Sequence, residues 1–223
     1  MATLTVFGDA SDGGICSESP IYLTARAGSG SFQTDSVSGF LEGDAIWAGI
    51  GQLYDFSGDN LVHFQEGFIG FDTSSLAGAT VSAASLSLYD SDHSFSVASA
   101  FVMQARSHDW GVALTAGDFV AGADLSGKML LAHLASSSRV ANQYQDFVDD
   151  ALPANLNLTG FTRMVLALDL MEAGTAPGID TYNSWAFTSA DAVGTTQDPK
   201  LVITYTDFPL NPRAGMDTAM MST

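Results

Sequence analysis

Between Glu66 and Asp90 the chain reads EGFIGFDTSSLAGATVSAASLSLYD, and this one stretch narrows what the whole can fold into. Ala84, Leu86 and Leu88 fall on one face of an extended segment and Ser85 and Ser87 on the other. That is the period of two expected of an antiparallel strand with one wet side. An apolar strand precedes it and ends at Phe71. Asp72, Ser74, Gly78 and Thr80 then supply side-chain caps and a free backbone, so Phe71 and Val81 bracket a turn rather than a helix. The spacing predicts a hairpin onto which the remaining elements are built.

The segments on either side fit that plan. Residues 1–30 open with an alternating strand at Thr3–Phe7, a Gly/Asp/Ser turn at 8–14 and a second apolar run at 20–27, which reads as an N-terminal arm or edge strands. Residues 28–60 carry isolated aromatics (Phe32, Phe40, Trp47, Tyr54, Phe56) among Gly, Ser and Asp, the pattern of short strands between turns. Further strands are expected at 95–106, ended by the polar turn Ser107–Gly111, and at 163–170, 182–188 and 201–206. In these Met164, Leu166, Leu168, Leu170, Trp185, Phe187, Leu201, Ile203 and Tyr205 face inward. Residues 112–160 depart from the β pattern. Leu125–Ala135 is rich in helix formers, and Val140, Tyr144, Phe147, Val148 and Ala151 recur at spacings of three and four before Pro153. The expected fold is therefore all-β: a jelly-roll β-sandwich over 31–206 with two short inserted helices, followed by an extended tail at 207–223.

Charge excludes some partners. Twenty-five acidic residues oppose seven basic ones, for a net charge of −18. Such a surface repels phosphate backbones, which argues against nucleic acid as a ligand, and it suits salty surroundings where counter-ions screen self-repulsion. No apolar run approaches the length of a membrane span, and Met1–Asp12 has neither a basic nor an apolar leader region, so membrane insertion is not expected. Cys16 is the single cysteine, which rules out an intramolecular disulfide; no histidine stands beside it in sequence, and it reads as a plain small residue. His63, His93, His108 and His133 show no paired spacing of the zinc-site kind and read as strand or turn residues.

Few stretches carry recognisable chemistry. Residues 122–128 spell G-x-x-x-x-G-K, but Met129 stands where a phosphate loop needs Ser or Thr for magnesium, and no βαβ pattern surrounds it. No nucleophile elbow occurs, so no enzyme activity and no cofactor are expected. Calcium is the ion for which carboxylates and carbonyls could converge, at the loop aspartates Asp55 with Asp59, Asp90 with Asp92, or Asp9 with Asp12, although none completes a calcium-loop pattern. Among flat rings able to stack on a sugar, Trp110, set in the turn between Asp109 and Gly111, is the leading candidate, with Trp47, Tyr54 and Tyr182 beside it.

The stretch FDTSSLAGATVSAASLSLY, Phe71–Tyr89, resembles the signature hairpin of the DNRLRE family, a β-sandwich module of the carbohydrate-binding type. DPKLVITY, Asp198–Tyr205, looks like that family's closing strand, and the two bracket residues 32–206. Members usually carry a basic residue before the Phe-Asp pair, where this chain has Glu66 and Gly67. In addition, Asp109–Ser137 is similar to a segment met in structural proteins of tailed bacteriophages. These resemblances imply a non-enzymatic virion structural or decoration protein that attaches the particle to surface polysaccharide. The alternatives are a secreted or cell-surface glycan-binding module or adhesin, and a polysaccharide-active enzyme. A virion part would work as a homo-oligomer among other virion proteins. Termini that bury little of their own surface need neighbours to order them, and Phe208, Leu210, Met216, Met220 and Met221 are the expected apolar anchors.

Overall fold

The computed structural model describes residues 1–35, 47–55, 58, 60–90, 95–190 and 196–206. In chain order these form β1 (Ala2–Phe7), β2 (Gly13–Ser19), α1 (Tyr22–Arg26), β3 (Ser31–Asp35), β4 (Trp47–Asp55), β5 (Leu61–Asp72), β6 (Thr80–Asp90), β7 (Phe95–Val97), β8 (Val102–Ser107), β9 (Leu130–Ala135), β10 (Gln143–Asp146), β11 (Val148–Asp149), β12 (Phe161–Leu168), α2 (Asp169–Ala173), β13 (Thr181–Thr188) and β14 (Lys200–Thr206). The strands make two antiparallel sheets. The smaller has the order β1-β14-β6-β10; the larger runs β11-β9-β8-β12-β5-β4-β13-β7, with β2 pairing β5 and β3.

β5 is the hub of the larger sheet. Residues 62–65 pair with both β2 and β4, while Gly67 and Phe68 pair with both β2 and β12, so β4 and β12 share one edge of β5 in succession while β2 lies along the other. A strand whose edge serves two partners in turn lets a sheet bend, and this sheet curls strongly into a half-barrel. β1 sits at an edge of the smaller sheet, whereas β2 is buried along its whole length between β3 and β5.

The alternation read from the sequence locates the core. Leu86, Leu88, Leu166, Leu168, Leu201, Ile203 and Trp185 are all fully buried in one apolar cluster shared by both sheets. Two expectations need correction. The stretch 66–90 is not a hairpin: β5 and β6 belong to different sheets, and the seven residues between them form an arch across the sandwich. Its 3-10 turn, Ser74–Leu76, drives Leu76 into the core, and Thr73 donates its hydroxyl to the Asn157 and Gly160 carbonyls at 2.6 and 2.9 Å. An interior strand with both faces covered has no use for a wet partner beside it, so the chain crosses over instead.

The second correction is that neither inserted helix forms. Leu130–Ala135 is β9 and pairs with β8; Gln143–Asp146 is β10 and pairs with β6; Val148–Asp149 is β11 and pairs with β9. Short helices gain little from propensity alone, whereas the edges of β6 and β8 offered unpaired backbone groups that these segments satisfy. The helices that do form lie elsewhere and are each five residues long. They are tied together, because Arg26 at the end of α1 donates to the carbonyls of Met171 (2.9 Å) and Glu172 (2.6 Å) in α2. A guanidinium there adds donors to the carbonyl end of the helix, where the backbone dipole favours positive charge.

Other buried charges also fasten loops to strands. Asp12 accepts the Gly70 N–H at 2.6 Å, and Arg106 donates to the Lys128 carbonyl (2.7 Å) and to Glu172 (2.6 Å). Glu66, fully buried on β5, accepts the Val120 N–H at 2.9 Å, and its second oxygen has no hydrogen-bond partner. Desolvation holds its carboxyl well above the usual value of 4.5, against the weaker pull of the Val120 N–H and of Lys128. A raised carboxyl pKa means the folded state holds a proton that the unfolded chain releases above about pH 4.5. Stability is then greatest below that pH and falls as pH rises toward the folded-state pKa. Glu66→Gln keeps an acceptor for Val120 and removes this titration. Denaturant midpoints measured from pH 5 to 8 should fall for the natural protein and stay flatter for the variant; parallel curves would show that Glu66 does not carry the effect.

Candidate functional site

The outward face of the smaller sheet is a surface that the register assembles from four strands. Leu86, Leu88, Leu201 and Ile203 point to the core, so Ser85, Ser87 and Tyr89 of β6 fall on the opposite face, Ser87 buried there among its neighbours, with their partners Lys200 and Val202 of β14 and Tyr144 and Asp146 of β10, and with Thr204 of β14 beyond them. Phe7, Thr5 and Thr3 of β1 continue the face, opposite Lys200, Val202 and Thr204. Tyr89 and Tyr144 meet edge to face with centroids 5.4 Å apart, and the Lys200 ammonium stands 3.6 Å from the centre of the Tyr144 ring. Ser87 donates to Asp146 at 2.5 Å, and the Tyr144 hydroxyl donates to the Asp198 carbonyl at 2.9 Å. Partial burial, and then the charge of Asp198, raise the Tyr144 phenol, which keeps it a donor.

The rim of this face is β1. It pairs with β14 on one side, and among the described residues no strand pairs with its other side. Its sequence, ATLTVF, holds no charge, proline or glycine, and Thr3, Thr5 and Phe7 are exposed. A strand edge presents a row of N–H and C=O groups open to pairing, and β1 carries no charge or proline of its own to guard it.

A small cleft of roughly 130 Å³ opens at one end of β12, lined by Ser107, Asp109, Asn155, Asn157, Phe161, Thr162 and Arg163, with Leu131 at its base. The Arg163 guanidinium lies over the Phe161 ring at 4.7 Å and the Trp110 ring at 5.6 Å, and it donates to Asp109 at 2.8 Å. The Gly111 N–H, and then Arg163, hold the Asp109 carboxyl below its usual range. Asp109 is largely exposed, so this ion pair adds little stability.

The sugar-stacking candidates are not gathered here. Trp110 is buried, not exposed, packed edge-on against Phe68 at 5.6 Å beneath Arg163; its polar neighbours Asp109 and Gly111 belong to the turn that covers it. Tyr54 is half-buried, with its hydroxyl 3.2 Å from Asn60, and it stands opposite Val62. Val62 and Phe68 are six positions apart on β5, so Tyr54 and Trp110 are separated by roughly 20 Å along the strand. Trp47 begins β4, and its side chain lies outside the described residues. Tyr182 is half-buried on β13, opposite Leu53.

The aspartate pairs fare similarly. Asp90 is buried and committed, receiving Arg139 at 2.5 and 3.1 Å and the Trp185 indole N–H at 3.0 Å, which corrects its reading as a loop calcium ligand. Asp55 accepts the Gly58 N–H at 2.7 Å within a turn. Asp59 and Asp92 lie outside the described residues, as do the anchors Phe208, Leu210, Met216, Met220 and Met221. Asp9 and Asp12 part company, Asp9 accepting the Ser11 N–H in its turn and Asp12 the N–H of Gly70.

What sequence spacing hid is a pairing of Cys16 with His63. They are 47 residues apart, yet the β2–β5 ladder brings Cys16 Sγ to 3.8 Å from His63 Nδ1, with Glu18 beside both. Had β2 been recognised as an interior strand paired to β5, the coincidence of a cysteine, a glutamate and a histidine would have been readable.

No protein-family model matches the chain, and no curated protein matches it. The likeness of Phe71–Tyr89 to a family signature therefore stands on those residues alone. Among the described residues no helix is long and apolar enough to cross a membrane.

Proposed function

We propose that this chain is a non-enzymatic structural or decoration subunit of a virus particle, a jelly-roll-type sandwich that works as a homo-oligomer and associates through β1. The observation that supports it most is the uncharged edge of β1, whose second side no strand among the described residues pairs, in a chain of net charge −18. Like-charged copies repel, so contacts between them must be made by backbone and apolar groups at a site free of carboxylates, and β1 is such a site. Loops stitched down by Asp12, Arg26, Glu66, Arg106 and Asp90 suit a rigid building block. The apolar residues of 207–223 would add to the grip.

A second reading, a glycan-binding surface module, is favoured by the cleft at Asp109, Asn155, Phe161 and Arg163, where amide, carboxylate and guanidinium groups surround a ring. One experiment separates the two. Antibody to the purified protein, applied to particles from the source culture in negative-stain electron microscopy, should label one fixed part of the virion. Label confined to cell envelopes would overturn the virion reading in favour of the second.

A further inference from the structure

We infer that Cys16, Glu18 and His63 form a binding site for a divalent zinc-class cation. β2 and β5 run antiparallel with Glu18 directly opposite His63 and Cys16 opposite Gln65. Cys16 and Glu18 are two residues apart and so share a face of β2, and His63 projects from the same face of β5. The three donor atoms close a small triangle: Glu18 Oε1 to His63 Nδ1 is 3.1 Å, Cys16 Sγ to His63 Nδ1 3.8 Å, and Cys16 Sγ to Glu18 Oε1 3.9 Å.

Those edges suit a metal. Zinc bound at about 2.3 Å to sulfur and about 2.0 Å to nitrogen and oxygen sets neighbouring ligand atoms roughly 3.3 to 3.6 Å apart, so shifts of a few tenths of an ångström would seat the ion. The donor set is equally selective. One sulfur, one imidazole nitrogen and one carboxylate oxygen match zinc and its borderline neighbours, whereas calcium and magnesium take oxygen alone. Burial adds to the case: Cys16 is fully buried and Glu18 and His63 nearly so, which makes the thiol a poor surface nucleophile and a good ligand in a dry site.

Loading the site involves no change of oxidation state. The Cys16 S–H bond gives up its proton to solvent as the S–Zn bond forms, His63 gives up its Nδ1 proton and keeps one on Nε2 so that Nδ1 is free to bind, and water molecules leave the hydrated ion as the His63 nitrogen and the Glu18 oxygen replace them. The ion's two positive charges neutralise the thiolate and the carboxylate, which would otherwise repel each other in a medium of low permittivity. With no disulfide available to a chain of one cysteine, such a clasp would lock β2, and with it the first thirty residues, onto the hub strand.

The test uses the full chain, stripped with chelator and titrated with cobalt(II) and then zinc(II). Because Cys16 is the only cysteine, a thiolate-to-cobalt charge-transfer band can come from no other residue. The expected result is that band together with the visible bands of tetrahedral cobalt, saturating at one ion per chain and displaced by zinc. Zinc should also raise the Tm and slow the reaction of the thiol with a disulfide reagent. Cys16→Ser, Glu18→Gln and His63→Gln should each weaken binding by more than roughly 100-fold. Far-ultraviolet circular dichroism in chelator would show that each variant still folds. If a variant fails to fold, the thiol-protection assay on the natural protein decides alone. Absence of the cobalt band in the natural protein, zinc that leaves thiol reactivity unchanged, or a band that survives Cys16→Ser would each overturn the site.

Discussion

Replacing Asp90 with alanine should lower the unfolding free energy by about 3 to 5 kcal/mol, the range for removing one partner of a buried ion pair. Asp90 is 1% exposed and stands at the end of the inward face of β6, where Arg139 reaches it with two nitrogens and Trp185 donates its indole N–H. Without the carboxylate a mostly buried guanidinium and a buried indole N–H both lose an acceptor. Denaturant unfolding of Asp90→Ala beside Asp109→Ala measures the effect, since Asp109 also pairs with an arginine but is largely exposed. Equal losses would mean that the Asp90 cluster is not the clamp its geometry suggests.

Leu88→Ala should cost about 2 to 5 kcal/mol, through lost transfer energy and the cavity left behind. Leu88 is fully buried on β6 between the two sheets, while Ser85, three residues earlier, lies on the outward face. If Leu88→Ala shifts the midpoint no further than Ser85→Ala does, the register of β6 against β14 and β10 is wrong.

These two residues also show how far the sequence could be read. Leu86, Leu88, Leu201 and Ile203 were legible because one face of their sheet is wet and one is dry, so polar and apolar residues must alternate. β5 was harder. Phe64 to Phe71 is covered on both faces, and a strand without alternation does not announce which sheet it joins. The arch to β6 therefore reads as a hairpin until the ladders are known. Residues 125–135 are rich in helix formers and 140–151 have apolar residues at helical spacing, but their fate was decided by the open edges of β8 and β6, which lie far away in sequence. Trp110 misleads for the same reason, since the Phe68 and Arg163 that bury it come from β5 and β12. The Cys16, Glu18 and His63 cluster is likewise a product of long-range register. No local spacing rule joins residues 16 and 63.

Sedimentation of the natural protein beside a Thr3→Lys, Thr5→Lys double variant would show whether β1 joins copies of this chain. Both threonines are exposed on the outward face of the edge strand, so lysine there should leave the core intact and the Tm nearly unchanged while protecting the edge. The natural protein should form oligomers that strengthen with added salt, as screening of the −18 charge relieves repulsion, and the double variant should be monomeric. A natural protein that sediments as a monomer at every salt and protein concentration, or a double variant that assembles as well as the natural one, would contradict it.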